Sequence, residues 1–342
     1  MLTIESDKHR LRDAKTELYG GELVPPFECP ARADMILQRI RDVGLGPVEG
    51  PKDFGLDPIL RVHDGDFVQF LAECWRDWQA AGFKGEAIAT AWPARRMTER
   101  VPRNIDGKLG YYAIAAETSI SGGTWEAALS SAHVALSAQA AVAGGEDAAF
   151  ALCRPPGHHA ARDMFGGYCF LNNAAIVAQA FHDQGASRVA ILDVDFHHGN
   201  GTQDIFYQRD DTLFLSLHGS PEQAFPYFLG YKDEIGRGPG EGMTANYPMV
   251  PGTAYDVWGE ALGAACRRIE DFGPDALVVS LGVDTFKDDP ISFFKLDSDD
   301  FKSYGRKLAD LARPTVFVME GGYAVEEIGV NAVNVLMGFE DR

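Results

Sequence analysis

The chain has 342 residues, 46% of them apolar and 24% charged, a globular composition long enough to bury a large core within one α/β domain. Fifty acidic against thirty-one basic side chains give a formal charge of −19, a field that repels phosphate backbones and anionic lipid headgroups and gathers cations. Nucleic acid and membranes are thus poor partners and a small cationic amine a good one. No apolar run approaches the roughly 20 residues needed to cross a bilayer, residues 1–10 are polar, and the five cysteines are odd in number and lack CxxC spacing. A soluble cytoplasmic protein without disulfides is the expectation.

Taken in chain order, the first 145 residues predict helices over 32–42, 66–80 and 125–143. Residues 81–124, between the last two, hold Gly, Pro, Arg and aromatics without clear period, and a connection of that length is usually functional or ordered by a partner. From Ala148 onward apolar, β-branched runs alternate with helical periods: AAFALC and a helix within 169–185, RVAILDVD and GTQDIFYQ, TLFLSLHG and a loop. ANYPMV, a helix over 255–272, ALVVSLGVD, a helix over 298–312, PTVFVM and a helix over 327–337 complete the rhythm. Such alternation predicts βαβ units, hence a three-layer α/β/α sandwich with a mainly parallel central sheet in one domain over 1–342. The strands are unbroken apolar runs, as expected where both sheet faces are covered.

Ligands of open α/β sheets bind beyond the carboxyl ends of the strands, and the residues there are rich in chemistry. AAFALC is followed by Arg154-Pro-Pro-Gly-His158-His159, RVAIL by Asp193-Val-Asp195-Phe-His197-His198, ALVVSLGV by Asp284, and TVFVM by Glu320-Gly-Gly-Tyr323. Asp195, His197 and Asp284 supply two carboxylates and an imidazole, a set that suits one divalent cation with an open coordination position. Asp195 and His197, two apart in an extended segment, point to one side; Asp193 shares it and suits a group that orients a histidine. Amide hydrolysis also needs a proton carrier and an oxyanion donor. One of His158 and His159 can serve as acid and base while the other helps electrostatically, and Tyr323, behind two glycines, can donate its phenol.

At these residues the sequence resembles the zinc-dependent histone deacetylase family of the arginase/deacetylase superfamily, through Pro-Gly-His-His, DVDFHHGNG, the later Asp284 and Gly-Gly-Tyr. KTELYGGELVPPFE, KGEAIAT, DMFGGYCFLNN and DPISFFKL narrow the likeness to the acetylpolyamine amidohydrolases. The resemblance implies hydrolysis of acetylated polyamines and small diamines, with Asp195, His197 and Asp284 holding zinc, His159 as the base beside His158, and Tyr323 stabilising the transition state. It implies aromatic tunnel walls at Tyr168 and Phe225. It also implies a structural potassium ion on the backbone carbonyls of Asp193, Asp195, His197 and Leu217 and the Ser216 hydroxyl.

Asn200 stands where many deacetylases have Asp. A neutral partner raises the pKa of His159 less than a carboxylate would. The resemblance further implies a homodimer in which the loop at 81–124 joins the interface and narrows the entrance, with Phe83, Trp92, Tyr111 and Tyr112 as contact candidates. Glu17, Asp106 and Glu117 are expected near the entrance, where they can pair with substrate ammonium groups; Asp106 stands where a longer Glu is expected. Three rivals stay open: a deacetylase of acetyllysine in proteins, an arginase-like ureohydrolase, for which Gly199 and Phe286 occupy the second-metal positions, and a non-catalytic binding module.

Overall fold

The computed structural model describes residues 1–96 and 98–341. Its strands are β1 (Leu2–Ile4), β2 (Glu17–Tyr19), β3 (Glu22–Val24), β4 (Val48–Glu49), β5 (Ala148–Ala151), β6 (Val189–Asp193), β7 (Thr212–Gly219), β8 (Thr244–Met249), β9 (Ala276–Leu281) and β10 (Thr315–Met319). β2 and β3 form an antiparallel hairpin. The other eight build one sheet in the order β4-β1-β5-β10-β9-β6-β7-β8, with every pairing parallel.

Successive strand residues point to opposite faces and feed two separate cores. Ala149, Ile191, Val278 and Val316 join one core with the helices Gly65–Ala80, Thr124–Ala143 and Asn173–Asp183. Phe150, Leu192, Leu277 and Phe317 join the other with Ala31–Val43, Tyr255–Phe272, Ser298–Ala309 and Ile328–Glu340. This is the expected three-layer sandwich, and β5, β6, β7, β9 and β10 are buried throughout.

The differences from the sequence reading have local causes. β1 and β4 run three and two residues, too short for a periodic signal, yet they extend the sheet beyond β5. The helix expected over 298–312 starts at a capping box between Asp297 and Asp300 but ends at Ala309, and Ala312 takes a left-handed φ of 49° before Pro314. Within 81–124, a stretch without apparent period, lies the helix Ile105–Tyr112, capped by Asn104. An antiparallel bridge between Ala87 and Ile120 closes the base of this segment, and the Trp92 indole donates to the Ala113 carbonyl (2.9 Å). Met97 lies outside the described residues. Tyr112 is 5% exposed and stacks on Phe70 at 4.6 Å, so it serves this chain's own core, whereas Phe83 and Trp92 are exposed. All five cysteines are free, and among the described residues no helix is long and apolar enough to cross a membrane.

Candidate active site

The loops after β5, β6, β9 and β10 meet at one rim. β6 ends at Asp193, and the chain beyond it bends through 195–197 rather than running on extended, held by side chains: the Asp195 N–H donates to Asp193 Oδ1 (3.1 Å), the Phe196 N–H to Asp284 Oδ1 (2.7 Å) and the His197 N–H to Asp195 Oδ1 (2.9 Å). Gly321 approaches from β10, its N–H donating to Asp195 Oδ2 (2.7 Å). A Cβ there would sit 2.6 Å from both Asp195 Oδ2 and Asp284 Oδ2, so only glycine lets this backbone close on the two carboxylates.

Asp195, His197 and Asp284 offer ligand atoms that all lie within 4.8 Å of one another. His197 Nδ1 faces both carboxylates, 2.9 Å from Asp284 Oδ2 and 3.3 Å from Asp195 Oδ1. Both aspartates are fully buried. Burial and the neighbouring Asp195 push Asp284 up to about 8, a like-charge conflict that a bound dication removes. Two oxygens and a nitrogen aimed at one point fit a single divalent ion. Gly199 and Phe286 contribute no donor to this group, which removes the second metal an arginase-like reading needs.

The paired histidines divide. His158 lies behind the rim: Nδ1 donates to Asp193 Oδ2 (3.0 Å), and its backbone N–H donates to Glu320 Oε2 (3.1 Å). Burial opposes its charge, but Asp195 and Asp193 outweigh that and raise it to about 10. His159 reaches the cavity, and its Nδ1 donates to Asn200 Oδ1 (2.6 Å), leaving Nε2 free of a proton. Burial, then His158 and His197, hold His159 well below the ordinary histidine range. The expected partnerships of Asp193 and Asn200 with histidines are therefore both present.

The cavity has a volume of about 460 Å³; His159, His197 and Tyr323 reach it, and Tyr168 and Phe225 wall it. Phe225 stands edge-on to His159 at 5.0 Å, and Tyr168 packs against Tyr323 at 5.5 Å. Glu117 and Glu17 line it as well. Glu117 is half-buried and accepts from the Gly167 N–H (2.9 Å). Glu17 is 2% exposed with both oxygens engaged, one by the Tyr168 hydroxyl (3.0 Å) and one by the Phe27 N–H (3.1 Å). Its present contacts fix the Tyr168 wall. Asp106 is half-buried on the helix Ile105–Tyr112 and does not line this cavity. For the potassium set, Asp193 of β6 pairs with Ser216 of β7. His218 Nε2 donates to the Gly230 carbonyl (2.9 Å), so Nδ1 accepts the Ser216 hydroxyl proton (2.8 Å) and the Ser216 lone pairs stay free.

Supporting groups that the sequence reading left without a role come mainly from the amino-terminal half. Glu28 accepts from Arg154 Nε (2.7 Å) and Nη2 (3.0 Å) and from Arg32 Nη1 (3.0 Å), and all three residues are buried. Arg32 also donates to the carbonyls of Glu320 (2.6 Å) and Gly322, and its guanidinium lies 4.8 Å over the Tyr323 ring. One carboxylate thus ties the loop of His158 and His159 to the Gly-Gly-Tyr turn. The sequence offers Glu28 at the end of KTELYGGELVPPFE and four residues before Arg32, and neither position announces a bond to Arg154.

A parallel α/β sheet whose strand ends gather a buried Asp-His-Asp group, a neutral histidine and a tyrosine over one cavity has the parts of a metal-dependent hydrolase of amide bonds. Comparison with known proteins narrows the class. The histone deacetylase domain model matches residues 26–338, so the chain belongs to that family of deacetylases. It is 60% identical over 338 residues to an acetylpolyamine amidohydrolase of Mycoplana ramosa and 59% identical over 340 residues to acetylpolyamine amidohydrolase 2 of Pseudomonas aeruginosa, covering 99% of each chain. The crystal structure of an acetylpolyamine aminohydrolase from Burkholderia pseudomallei superposes with a TM-score of 0.96 at 40% identity, covering 100% of this chain and 99% of that one.

Proposed function

We propose that the chain hydrolyses the acetamide bond of acetylated polyamines and small acetylated diamines, releasing acetate and the free amine, with one zinc ion per subunit. The observation that carries this reading is the aromatic-walled cavity that ends on His159, His197 and Tyr323 and has Glu117 along its side. Rings suit the methylenes of an acetylated amine, and a carboxylate suits its distal ammonium.

Asp195, His197 and Asp284 would hold the ion, which when bound supplies Lewis acidity toward the carbonyl and a lowered pKa for water. His159, with its Nδ1 proton on Asn200, accepts a proton at Nε2 from the attacking water and returns it to the departing amine. His158 keeps its Nδ1 proton toward Asp193 behind the site, beside the His159 ring. Tyr323 donates its hydroxyl to the oxygen that gains negative charge, and Tyr168 and Phe225 keep bulk water off the scissile bond.

The same proposal includes a structural potassium ion on the carbonyls of Asp193, Asp195, His197 and Leu217 and on Ser216 Oγ, favoured by the free lone pairs of that hydroxyl. It reads 1–342 as one domain, since a single sheet takes strands from Leu2 to Met319, and a homodimer built partly on exposed Phe83 and Trp92. Free cysteines suit a cytoplasmic location. Glu17, which lines the cavity as Asp106 does not, is a secondary candidate for ammonium contacts behind Glu117. A substrate panel on metal-quantified protein tests the reading: acetylputrescine and acetylspermidine should be turned over well and acetyllysine peptides poorly, and the reverse order would contradict it.

A further inference from the structure

The segment DPISFFKL is part of the family likeness but acquired no role from it. Its first residue, Asp289, lies five positions after Asp284, is 6% exposed and spends both carboxylate oxygens on backbone. Oδ2 accepts the Tyr323 N–H at 2.7 Å and Oδ1 accepts the Ile291 N–H at 3.1 Å. The Asp289 N–H in turn donates to the Phe286 carbonyl (3.1 Å), and Phe286 bridges Leu296, which closes the loop on itself. Tyr323 and residues 290–293 line the same cavity, and Phe293 packs against Phe196 at 4.7 Å, beside His197. The Gly-Gly-Tyr turn is therefore held on one side by Asp195, through Gly321, and on the other by Asp289.

We propose that Asp289 is a positioning residue which sets the Tyr323 turn and the cavity wall at 290–293 in one register, so that a single carboxylate governs both where the oxyanion donor stands and how wide the cavity is beside it. The inference rests on the reading of Tyr323 as that donor. Its physical core is that both positions need an acceptor. A carboxylate offers two; an asparagine amide offers one and turns an NH2 toward the other N–H. Asp289→Asn must therefore release either the tyrosine turn or the wall, and a displacement on the order of 1 Å at a reacting group costs up to about 10²-fold in rate.

A double-mutant cycle on the metal-loaded enzyme, with an acetylated diamine as substrate, tests this. Asp289→Asn should lower kcat by about 10-fold, or raise KM where the wall is released, with metal content unchanged. In a Tyr323→Phe background the same change should cost kcat less than about 2-fold, because the donor it positions is already gone. Equal kcat losses in both backgrounds, or kcat and KM both unchanged in the single variant, would overturn the proposal. Asp289→Glu, which keeps both acceptors but moves them by a methylene, replaces the asparagine variant if that one does not fold. Loss of metal together with activity in both would overturn the proposal too, since Asp289 would then be support for the metal loops. Near-normal activity in Tyr323→Phe alone would instead sink the donor reading, and KM for Asp289→Asn would then decide the wall alone.

Discussion

The two halves of the chain share one sheet but divide the labour. From β5 to β10, short buried strands deliver Asp195, His197, Asp284, His159 and Tyr323 to one rim. The first 145 residues contribute two marginal strands to that sheet, and their buried Glu28, Arg32 and Glu17 hold the loops and walls of the site. The contrast teaches that chemistry here sits on the regular part of the fold, while its precision is supplied from the irregular part through buried ion pairs across large sequence separations.

Breaking each half in turn sharpens the contrast. The largest effect belongs to the site: Asp284→Asn removes one of two buried carboxylates facing His197 and should abolish metal retention and activity together, measured by metal analysis after dialysis. In the supporting half, Glu28→Gln strips the countercharge from Arg32 and Arg154. The loss of a buried ion-pair partner predicts about 3–5 kcal/mol less stability in denaturant unfolding, with metal still bound to the protein that folds. An unchanged unfolding midpoint would contradict the tie between the two loops. Tyr323→Phe should keep metal and stability but slow turnover by about 10²- to 10³-fold, the scale for one oxyanion donor.

The smallest effect is a shift in pH. His159 is held below its usual range and its Nδ1 proton rests on a neutral amide. Asn200→Asp places a negative charge there, favours the imidazolium and raises the His159 pKa. The base is then lost at higher pH, so the acidic limb of the kcat/KM profile should move upward; a limb that stays in place would remove His159 from the role of base.

Legibility followed the same division. The βα rhythm and the polar residues after each strand announced the sandwich and its Asp-His-Asp group, because hydrophobic period and strand-end position are local signals. The helix Tyr255–Phe272 and the strand Thr212–Gly219 lie where the pattern predicts them. β1 and β4 gave no such signal, since two or three residues acquire strand character only from the neighbours they pair with. Arg154 and Glu28, 126 residues apart, cannot announce their pairing by spacing. Glu17 lines the cavity, near the entrance as its segment suggests, but its bonds to Tyr168 and Phe27 come from packing that spacing does not announce.

The most direct test is to locate the metal in the zinc-loaded protein by anomalous scattering at the zinc edge. One ion bound by Asp195, His197 and Asp284, with the Tyr323 hydroxyl facing the same space, is the predicted result. An ion held by other side chains, or two ions sharing the rim, would contradict the account.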